Sequence, residues 1–128
     1  MLKRKLDNNI VILDNTSKKL FTIDNHIYFN FIIDSNSMHL LRLKINDITN
    51  NYIFTENDNY IYIHINSCGG FIKDLLSNLD LFDNSVKLIS IIENNISDCA
   101  ILLSGLCYSR ICKTHAKINM RVVLQNYW

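Results

Sequence analysis

A chain of 128 residues and 15.0 kDa has room for one domain, and at that size it can bury a core without metals or disulfides. Thirteen basic against twelve acidic residues leave a net charge of +1, which excludes a nucleic-acid binder driven by a basic field. A hydrophobic share of 48% with 20% charged residues excludes a disordered chain.

The chain opens Met1-Leu2-Lys3-Arg4-Lys5-Leu6-Asp7, which carries charge but no apolar segment behind it. That pattern does not read as a signal peptide, and no apolar run approaches the roughly 20 residues of a membrane span. The expectation is a soluble intracellular protein, in cytoplasm or an organelle stroma, with no membrane partner. There is no proline, and 18 Asn and 20 Ile together supply 38 residues, so a single Asn is a weak turn signal in this chain.

Asn9–Asp14 and Lys19–Asp24 are short β-rich runs separated by Asn15-Thr16-Ser17, which predicts an N-terminal hairpin or arm over residues 1–25. The core is expected over 26–124 of a single 1–128 domain. His26–Ile33 reads as extended. Ser35-Asn36-Ser37 offers helix-capping chemistry, and Met38, Leu41, Ile45 and Ile48 behind it mark one stripe of an amphipathic helix. Asn46–Asn59 is the most polar stretch and reads as a loop. Tyr60–Asn66 alternates, with Ile61, Ile63 and Ile65 on one side and Tyr62 and His64 on the other, as a strand does.

Ser67-Cys68-Gly69-Gly70 leads into a second helix with an apolar face of Ile72, Leu75, Leu76 and Leu79, ended by Asp83-Asn84-Ser85. Val86–Ile92 is nearly all apolar, as a strand covered on both faces would be. A third helix is predicted from near Ser97 to Leu106, then short strands over Tyr108–Cys112 and Ile118–Leu124. Cys68, Cys99, Cys107 and Cys112 form no Cys-x-x-Cys pair and precede no closely spaced His pair. They read as small hydrophobes, with no metal site and no cofactor. Strands alternating with helices predict a mainly parallel α/β sheet whose functional groups gather at the strands' C-terminal ends.

Two such ends carry candidate chemistry. Two of the three glycines stand together as Gly69-Gly70 between a strand and a helix, where uncovered amides can hold an anion or an oxyanion. Asn94-Asn95-Ile96-Ser97-Asp98-Cys99-Ala100 puts a serine at a helix start after the central strand, where a nucleophile or a plain N-cap would stand.

Tyr60-Ile-Tyr-Ile-His-Ile-Asn-Ser-Cys-Gly-Gly70 resembles the Ile-Asn-Ser-Pro-Gly-Gly signature of the Clp protease proteolytic subunit, with Cys68 in place of proline. Ile27–Asp34, Leu75–Phe82 and Val86–Ser104 are similar by pattern to that family's neighbouring segments. The resemblance implies a ClpP/crotonase-like fold of stacked βαβ units, C-terminally truncated. It further implies a serine endopeptidase ancestry and a homo- or hetero-oligomeric ring served by an AAA+ unfoldase. It carries Gly69, Gly70 and Asp98 over as backbone amides of an oxyanion site. With one gap Ser97 falls on the nucleophile; without a gap Asp98 does. The family's histidine falls on Arg121 or, with a shift, on Gln125, and neither can accept the proton of a serine at neutral pH. His115 is the nearest histidine; His26, His39 and His64 lie on earlier elements. The chain stops at Trp128, before the family's aspartate, so the triad is incomplete. The other readings are a non-catalytic ring subunit or remnant and a crotonase-like binder of acyl-CoA.

Overall fold

The structure is a computed structural model and describes residues 20–119. The earlier run Asn9–Asp14, the stretch beyond Asn119, and with it Arg121 and Gln125, lie outside the described residues. Strand β1 (Phe21–Ile23) turns through Asp24 and Asn25 into β2 (His26–Phe29), and the two pair antiparallel. The first helix, α1, spans Ser35–Asn51 and leads to β3 (Tyr60–Ile65). A short α2 (Ile72–Leu76) and a 3-10 turn (Leu79–Phe82) lead to β4 (Lys87–Ile92). Then come β5 (Asn95–Ser97), α3 (Cys99–Leu106), β6 (Ser109–Cys112) and β7 (Lys117–Asn119).

The main sheet has the order β1-β2-β3-β4-β6, and every pairing after the first is parallel. A second sheet of two strands joins β5 to β7, also parallel. The protein is therefore mixed α/β with a mainly parallel sheet, and no helix among the described residues is long and apolar enough to cross a membrane.

The core follows from the alternation of the strands. Ile27 and Phe29 of β2 and Ile61, Ile63 and Ile65 of β3 are buried, and Met38, Leu41, Ile45 and Ile48 of α1 pack on them. From α2 and α3 come Leu75, Ala100 and Leu103. Each fully buried aliphatic side chain contributes about 1.5–3 kcal/mol, so this interlayer is where most of the stabilisation lies. On β4 both faces are buried, as its nearly all-apolar run predicted. Its Ser90 is wholly buried and its hydroxyl meets that of Ser104 of α3 at 2.8 Å, so neither polar group is left unsatisfied.

Several boundaries differ from the sequence reading. The polar stretch expected as a loop from Asn46 is helical as far as Asn51, because Ile48 continues the buried stripe for one more turn. The N-cap of α1 is Asp34: its carboxylate accepts from the Ser37 amide at 2.8 Å and the Ser37 hydroxyl accepts from the Asp34 amide at 2.9 Å. The second helix is broken at Ser77–Asn78, whose side chains bond back to Lys73 and Asp74 carbonyls. Only Cys99 and Cys107 are buried; Cys68 and Cys112 are exposed. Burial pushes the Cys107 thiol up to about 12, with Arg110 opposing, so it is an inert packing group.

Candidate functional site

The parallel pairing of β2, β3 and β4 puts the C-terminal ends of all three strands at one edge of the molecule. The turn after β3 is fixed there from several sides. Asn66 N–H donates to the Phe29 carbonyl at 2.9 Å. The buried Ser67 hydroxyl donates to the Phe31 carbonyl at 2.7 Å and accepts from Gly69 N–H at 3.1 Å. Ile33 clamps the glycines: its N–H donates to the Gly69 carbonyl at 2.8 Å and its carbonyl accepts from Phe71 N–H at 2.8 Å.

Both glycines are required. Gly69 has φ +104 and Gly70 φ +149, a region that L side chains rarely adopt. A Cβ on Gly70 would also collide with the Ile33 carbonyl oxygen and lie 2.7 Å from the Ile33 nitrogen. A Cβ on Gly69 would lie 2.7 Å from the Asp98 Cβ and 3.0 Å from the Ser97 carbonyl oxygen. The glycine doublet and the start of α3, thirty residues apart in sequence, are thus in van der Waals contact.

Their partner segment is itself unusual. Strand β5 ends at Ser97, α3 begins at Cys99, and the junction is Asp98 with φ 54 and ψ -135. A non-glycine residue in that region costs about 1–3 kcal/mol and persists only where the surroundings impose it. A strained residue on a sharp strand-to-helix turn is the geometry that lifts a nucleophile out of a sheet in hydrolase elbows. Here that position carries a carboxylate.

Ser97 is the last residue of β5, one place before the elbow. Its hydroxyl donates to the Cys68 carbonyl at 3.0 Å, and its amide donates to the Ser67 carbonyl at 3.4 Å. Both bonds fasten β5 to the glycine turn. The Gly69 amide, one of the three assigned from the sequence with Gly70 and Asp98, donates to the Ser67 hydroxyl. Burial raises the Cys99 thiol, and hydrogen bonds from its own amide and from the Gly70 amide oppose that rise.

His115 lies in the turn between β6 and β7, and His39 is exposed on α1. His26 and His64 instead meet on the face of the sheet turned away from the helices: His26 Nδ1 and His64 Nε2 are 2.8 Å apart, and His64 Nδ1 is 2.7 Å from Glu93 Oε1. The alternation of His26 with Tyr28 and of Tyr62 with His64 was visible in the sequence. What joins them is the parallel register His26↔Tyr62 and Tyr28↔His64, which no local pattern reveals. Among the described residues no group of three or more His, Cys, Asp or Glu is arranged to hold a metal ion. Compared with known proteins, the chain matches no family model and no curated sequence.

Proposed function

We propose that this chain is a Clp protease proteolytic-subunit-like protein that keeps the family's site architecture without its peptidase chemistry, and that it serves as a non-catalytic subunit of a Clp-type ring. The observation that carries this reading is Asp98: a carboxylate in a strained conformation at the strand-to-helix elbow, packed on the positive-φ Gly69. The ungapped correspondence, in which residue 98 stands where the family has its serine, accounts for that strain. The gapped one, with Ser97 as nucleophile, does not.

The chemistry agrees. A serine peptidase needs a hydroxyl at the elbow and a base within hydrogen-bond reach of it, and members of a triad work as a unit. The hydroxyl nearest the elbow, Ser97, spends its proton on the Cys68 carbonyl. A carboxylate attacking a peptide would form a mixed anhydride, a poor acyl-enzyme. On this reading the partners are further Clp-like subunits and, through them, an AAA+ unfoldase, and the protein works in a soluble compartment.

Co-expression with a catalytic Clp subunit, followed by native mass spectrometry, tests the role. The expected result is a mixed ring containing both chains. A chain that stays monomeric beside a fully assembled catalytic ring overturns it. Titration with acetyl-CoA separates the crotonase-like alternative: no heat is expected, and saturable heat would favour acyl-CoA binding.

A further inference from the structure

Glu93, His64 and His26 form a continuous hydrogen-bonded chain across three segments of the main sheet. Glu93 follows β4, His64 is on β3 and His26 begins β2. The rings are locked by stacking: Tyr62 lies on His26 at 4.7 Å between centroids, and Tyr28 lies on His64 at 4.2 Å. His64 is largely enclosed, with 13% of its side chain exposed, against 45% for Glu93. Nothing in the proposed ring role uses these residues.

The proton arithmetic of this chain is restrictive. The Glu93 carboxylate only accepts, so His64 Nδ1 must carry a hydrogen. With both rings neutral, His26 Nδ1–H donates to His64 Nε2. With one added proton on the pair, one nitrogen of the 2.8 Å contact still accepts, so that contact and the bond to Glu93 both survive. A second proton puts a hydrogen on both nitrogens of the 2.8 Å contact, and that contact cannot persist.

We propose that Glu93, His64 and His26 are a proton-operated latch that ties the β4–β5 turn to the β1–β2 hairpin while the pair holds at most one added proton, and opens on the second. The turn it holds is the one that leads through Asn94 into the Asp98 elbow, so the latch links acidity on the outer sheet face to the position of the site.

The charges around it favour opening on the acid side of neutrality. His26 is held below its ordinary value of 6.5, first by burial and then by the neighbouring His64, while Asp58 and Asp24 pull it the other way. Asp58 is partly committed elsewhere, accepting from Asn25 at 2.9 Å and from the Tyr52 hydroxyl at 2.7 Å. Among the described residues, Tyr28 and Tyr62 stack on the two rings.

An NMR pH titration of the full chain tests this, following the His26 ring and the Glu93 and Asn94 amides together. In the wild type the amides are expected to follow the same pH curve as the His26 ring. In His64→Gln the His26 midpoint is expected to rise and the amides to lose that dependence. Glu93→Ala, at a partly exposed turn, is expected to leave the His26 ring titrating while Asn94 no longer follows. The proposal is overturned if the wild-type amides stay still while His26 titrates, or if they follow it unchanged in either variant.

Discussion

A methyl group added at residue 69 has nowhere to go. It would press on the Asp98 Cβ and the Ser97 carbonyl in a backbone conformation with φ +104, so Gly69→Ala is expected to cost about 1–3 kcal/mol in urea unfolding. Gly70→Ala should cost at least as much, because backbone atoms of Ile33 stand in the way. Gly105, inside α3 and with open space at its Cβ, is the internal control: Gly105→Ala should gain about 0.5–1 kcal/mol. Equal effects at all three positions would mean that the doublet is an ordinary turn. The buried hydroxyl pair behaves differently. Ser104→Ala strands the Ser90 hydroxyl in the core and should cost about 1–3 kcal/mol, whereas replacing both serines by alanine should cost less than the sum of the single changes. An additive double variant would show that the two hydroxyls do not depend on each other.

Secondary-structure elements divide by whether their cause is local. The stripe Met38, Leu41, Ile45, Ile48 announces α1, and the alternation of Tyr60–Ile65 announces β3, because each is written in consecutive residues. The start of α1 is local too. Asp34→Ala removes the acceptor that holds the Ser37 amide, and a loss of about 1 kcal/mol is expected by thermal melting. No loss would mean that the Ser37 hydroxyl, which also donates to the Ile32 carbonyl at 2.7 Å, holds the helix start by itself. Strand β5 was not legible. Asn95-Ile96-Ser97 has no strand pattern of its own and is extended because it pairs with Lys117–Asn119, 22 residues later. That pairing is also what moved the helix start from Ser97 to Cys99 and left Asp98 to make the turn. The Gly-Gly signal marked a strand-to-helix turn; that the Gly69 amide is held there depends on Ser67, a buried hydroxyl whose partners only the fold supplies.

At the scale of the whole molecule, stability and site are joined through the sheet. Because His26 is held below 6.5 in the folded protein, the unfolded chain takes up a proton first as the pH falls. The folded state is therefore favoured above the ordinary histidine value and loses ground as the pH drops from there through the lowered value. Melting temperature should fall as the pH drops below the ordinary histidine value of 6.5, and His26→Gln should flatten that part of the slope. An unchanged slope in the variant would place the acid sensitivity elsewhere. The topology that stacks Tyr62, His26, Tyr28 and His64 on the outer face also brings Gly69 to Asp98 at the sheet's C-terminal edge. Both follow from the parallel order of β2, β3 and β4. The most direct test of a carboxylate elbow beside a committed Ser97 is the intact mass of the folded chain after treatment with a fluorophosphonate. The mass should remain that of the untreated protein; a phosphonyl adduct on Ser97, lost in Ser97→Ala, would contradict the account.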